Sequence, residues 1–138
     1  MLTVDADGER LGLTIGSLVS LSLYPPLVGV SISTQAAMHE LLRRAGGFAL
    51  SLLAGDQEEI AQHFARGVPP LAHWHGIATR ADAAGAPLVE DALGWLECEV
   101  QAGHEVGDHT FFVGEVLAAE RGRSATPLVY VDQRYMTL

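Results

Sequence analysis

The segment Gly107-Asp108-His109-Thr110 places an ionisable ring directly after a tight-turn signal. Apolar and acidic residues alternate in the preceding run, residues 96–100, and the following run, residues 111–117, is also strand-like. A Gly-Asp pair between two such runs predicts a β-hairpin, because both residues tolerate the backbone angles of a tight turn. An imidazole there can donate or accept a hydrogen bond and can titrate near neutral pH. We therefore take His109 as a candidate functional residue; the alternative is a turn histidine that bonds a backbone carbonyl.

Two further histidines lie in the segment His73-Trp74-His75, at a spacing that would put both rings on one side of a strand. A zinc site needs at least three protein ligands, and no Cys or Glu motif lies near this segment. The single cysteine, Cys98, falls on the apolar side of its predicted strand. We therefore expect no metal site, and we expect Cys98 to be a small core residue.

Length and composition favour one β-rich domain. The 138 residues suit a single domain, and 49% hydrophobic residues with 15 glycines favour β structure and tight turns. The net charge of −9, without a basic stripe, argues against a nucleic-acid surface. The longest apolar region, residues 11–32, is interrupted by serines, glycines and prolines, so no membrane insertion is expected. The lack of a secretion-signal pattern and of a disulfide partner for Cys98 favours the reducing cytoplasm.

The strand patterns predict a β-barrel-like domain with at least six strands. The expected strands cover residues 2–4, 11–17, 20–24, 27–33, 48–53, a hairpin within 93–117, and 128–131. Residues 66–91 show no regular pattern and are expected to form a long functional or wrapping loop. Residues 120–124 are expected to form a polar turn.

Two short helices are expected to decorate the barrel. Residues 36–45 have helical character, and Gly46-Gly47 would end that helix. Residues 57–65 are expected to form the second helix, with Asp56 as its N-cap and Glu59 completing a capping box.

Several motifs, in order along the chain, together resemble the flavin reductase family. The first three are Gly12-Leu13-Thr14-Ile15-Gly16-Ser17, Ser20-Leu21-Ser22 and Pro25-Pro26-Leu27-Val28. The others are His39-Glu40-Leu41-Leu42, Phe48-Ala49-Leu50-Ser51-Leu52-Leu53, Asp56-Gln57-Glu58, Phe64-Ala65, Gly85-Ala86-Pro87-Leu88, Trp95-Leu96-Glu97-Cys98 and Gly107-Asp108-His109. Each motif is weak alone, but the ordered set covers nearly the whole chain. The resemblance implies a mainly β fold, an FMN-binding split β-barrel with two or more short helices. It also implies one domain over residues 1–138 that is N-terminally short relative to the family.

The resemblance implies an NAD(P)H-dependent flavin reductase, which transfers hydride from NADH or NADPH to FMN, with FAD as a possible acceptor. Family members are usually homodimers and often supply reduced flavin to a partner monooxygenase, so both associations are expected here. Two alternatives remain at this stage. One is a non-catalytic FMN-binding or flavin carrier protein. The other is a split-barrel interaction domain that has lost flavin.

The resemblance also implies a set of cofactor-binding residues. Thr14, Ile15, Gly16 and Ser17 would hold the flavin ring, because hydroxyls and amides supply donors and glycine allows close approach. The alternative for that segment is an ordinary strand with a bulge at the glycine. Trp74 is expected over the flavin slot or at the dimer interface.

A second group of residues is implied for the phosphate and the nicotinamide. Ser31, Ser33 and Thr34 would contact the phosphate, the alternative being solvated turn hydroxyls. The segment after the second helix lacks the arginine that the family carries there, and Arg66 would substitute for it. His109 would act at the reaction site by orienting the nicotinamide or by hydrogen bonding to the flavin edge.

Overall fold

The computed structural model describes residues 1–65 and 73–138. Within these ranges the chain forms eleven strands, two α-helices and one 3₁₀ turn at Gly55–Gln57. The strands are β1 Leu2–Ala6, β2 Glu9–Leu13, β3 Val19–Leu23, β4 Pro26–Ser33, β5 Gly47–Leu52, β6 Thr79–Ala81, β7 Pro87–Val89, β8 Gly94–Val106, β9 His109–Arg121, β10 Leu128–Val131 and β11 Arg134–Thr137. The helices are α1 Ala37–Ala45 and α2 Glu58–Ala65.

Seven strands form one antiparallel sheet in the order β2-β1-β5-β8-β9-β4-β3. Its two edge strands, β2 and β3, are consecutive in the chain, and residues 14–18 connect them without forming a ladder between them. The sheet is therefore split between β2 and β3, and a five-residue connection crosses the split.

Alternation in the second half of β4 separates the core from the outer face of the sheet. Val28, Val30 and Ile32 are buried in the main apolar cluster, while Ser31 and Ser33 on the other face are only half-buried. This alternation is what a half-buried antiparallel strand requires. The strand predicted for residues 27–33 is confirmed, and its outer face is a row of small and hydroxyl side chains.

The predicted hairpin is confirmed and is longer than expected. Strands β8 and β9 have 13 residues each and turn at Gly107, which has φ of 58°. β5 pairs with β8 only as far as Glu99, so the distal part of β8 pairs with β9 alone. β4 runs beside the distal half of β9 and supports it as far as His109.

The first helix is confirmed, but the predicted start of the second is wrong. α1 ends at Gly46, whose φ is 69° and whose N–H bonds the Leu42 carbonyl. Asp56 does not cap α2, because it lies inside the 3₁₀ turn and its carboxylate pairs with Arg123. The side chain of Gln57 instead accepts the Ala54 N–H at 3.0 Å.

Two expected irregular regions contain strands. The region predicted as a long loop holds the β6–β7 hairpin in its described part, fixed to the sheet by the bond from Val89 N–H to the Ser51 hydroxyl at 3.0 Å. The predicted polar turn at residues 120–124 is also partly wrong, since β9 continues to Arg121, which pairs with Gly94. β11 follows the strand that the sequence analysis placed last.

Cys98 is a core residue, as expected: it is 5% exposed, and burial raises the pKa of its thiol to about 12. It is therefore a protonated, inert thiol at neutral pH. Among the described residues, no helix has the length and apolar character needed to cross a membrane.

Candidate functional site

His109 lies at the turn where the long hairpin meets the end of β4. It pairs in register with Ser33 of β4, so the two side chains share the outer face of the sheet. Thr34 fixes the turn, because its N–H and its hydroxyl both donate to the Asp108 carbonyl, at 2.9 and 3.0 Å. The Asp108 carboxylate lies 2.7 Å from His109 Nδ1, and this hydrogen bond holds the pKa of Asp108 below its usual value. The imidazole is thus oriented by its neighbour, and its Nε2 side faces away from that bond.

A reciprocal hydrogen bond joins the 14–18 connection to β4. The Ser17 hydroxyl donates to the Ser31 carbonyl at 3.1 Å and accepts the Ser31 N–H at 3.0 Å. Ser31 precedes Ser33 by two residues, which is about 7 Å along a strand. The structure therefore brings the predicted ring-binding segment, the predicted phosphate residues and His109 into one continuous strip along the end of β4.

The connection itself presents free backbone donors. Thr14 is tied to α2, because its N–H donates to the Phe64 carbonyl at 3.4 Å and its hydroxyl to the Ala61 carbonyl at 2.7 Å. The next three amides, those of residues 15–17, donate to no acceptor in the described parts of the chain. A Cβ added at Gly16 would meet nothing within 4 Å. The alternative of a bulged strand is therefore wrong: the segment is an open loop with unused N–H groups and no side chain at its centre.

The predicted phosphate residues are only partly available. The Ser33 hydroxyl accepts the Gln35 N–H at 3.2 Å, which leaves its own proton free to donate. The Thr34 hydroxyl proton is used on the Asp108 carbonyl. Sequence reasoning missed a second source of donors: α1 begins at Ala37, directly after this turn, and its N-cap, Ala36, provides no side-chain cap. Uncapped amides at a helix N-terminus favour anions, so Ser33 and the start of α1 fit a phosphate together.

A cavity of about 470 Å³ opens beside the free amides. Its lining includes Thr14, Ile15 and Gly16, and also Tyr130 and Tyr135 of the C-terminal hairpin. No acidic, basic or histidine side chain of the described residues lines it. The two tyrosines were not predicted. The available signal was the strand pattern around Tyr130, but the position of the hairpin depends on contacts distant in sequence.

His73 is a buried residue that packs among aromatic side chains. His73 is 6% exposed and packs against Phe64 at a ring-centroid distance of 4.7 Å. Its Nε2 lies 3.0 Å from the Gly12 amide nitrogen. Trp74 packs on the same phenyl ring at 4.9 Å and donates to the Arg10 carbonyl. Its expected place over the flavin slot or at the dimer interface stays a prediction.

The described residues also contain no group of three or more His, Cys, Asp or Glu side chains that could hold a metal ion. His73 lies in a bend that leads into a turn, whereas a zinc site with His73 and His75 on one side would need a strand here. Arg66, the predicted substitute for the family arginine, lies outside the described residues.

The pKa of His73 should make stability depend on pH. Burial, the largest cause, and the nearby His63 hold its pKa below the ordinary value, and the contact with Gly12 only partly opposes them. A depressed pKa means that the fold favours the neutral ring. This contribution is complete above about pH 6.5, the unfolded value, and is lost as the pH falls below it. We expect urea unfolding to show a smaller loss of stability between pH 8 and pH 5.5 in His73→Gln than in the wild type.

The matched control for this prediction is His75→Gln, which removes an exposed neighbouring imidazole. That variant should keep the wild-type pH dependence. Equal slopes for His73→Gln and the wild type would contradict the role assigned to the buried ring.

Comparison with known proteins assigns the chain and its fold to one family. Residues 1–138 match the flavin reductase like domain. The chain belongs to the flavin reductase-like family. An NADH-dependent flavin reductase of Rhodococcus sp is 46% identical over 105 residues, which cover 76% of this chain and 57% of that protein. The reductase component of 4-hydroxyphenylacetate 3-monooxygenase from Thermus thermophilus is 38% identical, over 94% of this chain and 80% of that protein.

The solved structure of the NADH:FAD oxidoreductase SgcE6 from Streptomyces globisporus superimposes with a TM-score of 0.93 at 35% identity. The match covers 99% of this chain and 82% of that chain. The predicted split-barrel fold and the predicted flavin reductase class are confirmed by these comparisons. The individual site residues of this chain stay predictions.

Proposed function

We propose that this protein is an NAD(P)H:flavin oxidoreductase that transfers hydride from NADH or NADPH to FMN, with FAD as a second acceptor. The observation that carries the proposal is the strip that joins the free amides of residues 15–17, through the Ser17–Ser31 bonds, to Ser33 and His109. Its donors match the groups of a flavin: unused amides for the polar edge of the ring, and Ser33 with the start of α1 for the phosphate. The flavin-dependent activities named for the Rhodococcus and Streptomyces relatives support it.

A bound flavin would supply the two-electron acceptor for the hydride of the reduced nicotinamide. The amides of residues 15–17 would donate to the ring edge where negative charge develops during reduction, and such preorganised donors need little rearrangement. His109, held at Nδ1 by Asp108, would use its other ring nitrogen to orient the nicotinamide. Hydride transfer needs only positioning from the protein, so no proton donor is required of this histidine.

The direct test is to mix the purified protein with FMN or FAD and follow the loss of the nicotinamide absorbance band with NADH and with NADPH. We expect flavin-dependent oxidation of at least one nucleotide. A yellow complex that oxidises neither nucleotide would instead support the flavin carrier alternative. A protein whose melting temperature FMN does not change would support the flavin-free alternative, since a ligand of the native state must stabilise it.

We further propose that the reduced flavin serves a partner monooxygenase, acting in the cytoplasm. The Thermus thermophilus relative, which is named as the reductase component of such an enzyme, supports this partnership. The free Cys98 thiol fits a reducing compartment.

The proposed homodimer is supported by apolar side chains exposed on edge strand β3 and just after it. Leu23 is 77% exposed and Tyr24 is 94% exposed, and the outer edge of β3 has no strand partner in the described residues. Exposed apolar residues on an open edge are typical of an association surface. We expect light scattering to show a dimer for the wild type and a larger monomer fraction for Leu23→Asp.

The control for the dimer is Leu138→Asp, which places the same charge at an equally exposed leucine, 81% exposed, at the end of the chain. It should leave the dimer intact. A wild-type protein that is monomeric at micromolar concentration would contradict the dimer.

A further inference from the structure

The C-terminal hairpin presents an aromatic face toward the flavin-binding strip. Tyr130 of β10 and Tyr135 of β11 pair directly in register, and their ring centroids lie 4.9 Å apart at an angle of 54°. The hairpin forms no ladder with the seven-stranded sheet. It is held at its base, where Leu128 N–H bonds the Leu53 carbonyl at 3.0 Å and Gly55 N–H bonds the Thr126 carbonyl at 2.8 Å.

The exposure of Tyr130 shows that the described residues leave part of the hairpin face uncovered. Tyr130 is 61% exposed, and Leu52, which also lines the cavity, is 40% exposed. An isolated two-stranded hairpin is marginal in water unless its face packs against something. A large exposed aromatic side chain that lines a concave apolar space is a common feature of a small-molecule site.

The residues that line the cavity indicate which part of a flavin it would bind. Its volume of about 470 Å³ falls in the range of small-molecule sites, and no charged side chain of the described residues lines it. A phosphate or a pyrophosphate would therefore find no cationic side chain of the described residues there. A flat uncharged ring system suits the space, since tyrosine rings favour stacked or edge-on aromatic neighbours.

The position of the cavity connects it to the strip. Thr14, Ile15 and Gly16 line it together with the two tyrosines, and the unused amides belong to the same short segment. A ring bound to those amides would extend over Gly16, where no Cβ interferes. We propose that Tyr130 and Tyr135 form the aromatic wall of the flavin site, contacting the isoalloxazine ring and not its phosphate chain. This inference rests on the proposed function and assigns residues to the same site.

The experiment uses riboflavin, which has the ring without the phosphate, alongside FMN. Protein is titrated into each flavin, and the quenching of flavin fluorescence gives the Kd and the degree of stacking. We expect Tyr130→Ala to weaken binding of both flavins by about tenfold and to reduce the quenching. Tyr130→Phe should restore both. Val131→Ala, at the next residue on the opposite face of β10, is the matched control and should leave both values unchanged.

A second substitution separates ring contacts from phosphate contacts. Ser33→Ala should weaken FMN but not riboflavin, whereas Tyr130→Ala should weaken the two equally. Circular dichroism checks the fold of each variant. If Tyr130→Ala does not fold, Tyr130→Leu keeps the apolar bulk without the ring and should show the same loss of quenching.

The inference is overturned if Tyr130→Ala and Tyr130→Leu bind riboflavin like the wild type. It is also overturned if light scattering shows that Tyr130→Ala dissociates a dimer while flavin affinity per subunit is unchanged, because the cavity would then be covered by a second copy of the chain. Failure of the proposed function gives a different pattern: the wild type would oxidise no nicotinamide nucleotide, whatever the binding data show.

Discussion

Replacing His109 by alanine should lower the rate of nicotinamide oxidation by about 10- to 100-fold while changing the flavin Kd by no more than about twofold. The reason is the geometry at the hairpin turn. The ring stands opposite Ser33, and Asp108 fixes its Nδ1 at 2.7 Å. A residue that positions the nicotinamide should therefore affect the reaction more than it affects flavin binding. Steady-state kinetics at saturating flavin, combined with a fluorescence titration of FMN, separates the two effects.

The control for His109→Ala is His104→Ala, which removes an exposed imidazole from the distal part of β8. It should retain full activity. Asp108→Asn tests the positioning role, because it keeps the size of the side chain and removes its charge; we expect a smaller rate loss than for His109→Ala. If His109→Ala instead weakened flavin binding strongly and left the rate at saturating flavin unchanged, the histidine would be a binding residue only.

Replacing Gly16 by valine should abolish most flavin binding without destabilising the protein. The added side chain meets no protein atom near Cβ, and Gly16 does not have a positive φ, so the fold tolerates it. The same side chain would project over the free amides of residues 15–17. We expect the melting temperature of the flavin-free protein to change by less than about 2 °C and the FMN Kd to rise by more than about tenfold.

Gly114→Ala provides the opposite pattern and so serves as the control. A Cβ at Gly114 would lie 2.6 Å from the Phe48 ring and 3.2 Å from the Cys98 Cβ, inside the core. We expect a loss of about 1–3 kcal/mol in the free energy of unfolding, measured with urea, and little direct effect on flavin affinity. A Gly16→Val protein with wild-type affinity would show that the ring does not lie over this segment.

The sequence analysis correctly predicted the elements that are determined by residues close together in the chain. The Gly107-Asp108 pair predicted the long hairpin, and Gly46-Gly47 predicted the end of α1, since in both cases the chain needs backbone angles that glycine adopts easily. The ordered motifs predicted the family and hence the split barrel. They also placed Ser17, Ser31 and His109 in one site, and the structure brings these residues onto one strip.

Tertiary contacts decided the elements that the sequence analysis missed. Asp56 had the sequence context of an N-cap, but Arg123, which lies 67 residues away, pairs with its carboxylate. The three-residue strands β6 and β7 are too short to show a period. They are held in place by contacts such as the bond from Trp95 Nε1 to the Val89 carbonyl at 2.8 Å.

The turn between the last two strands explains why the aromatic wall was not predicted. Asp132 and Gln133 both have positive φ, 51° and 61°, at the tip of the β10–β11 hairpin. Asp132 suits the first of these positions, but the second is normally glycine, and Gln133 stands there instead. Without that signal, β11 and therefore Tyr135 could not be placed opposite Tyr130 from sequence alone.

The split between β2 and β3 has a consequence for how ligand and fold depend on each other. A fully closed barrel would have no gap between its first and last strands. Here the connection across the gap is held by Thr14, which bonds α2, by Ser17, which bonds β4, and by Ile15 and Leu18, which pack on the core. A flavin bound to this connection, as proposed, would link the first and last strands of the sheet. Flavin binding and the stability of the sheet would then be coupled.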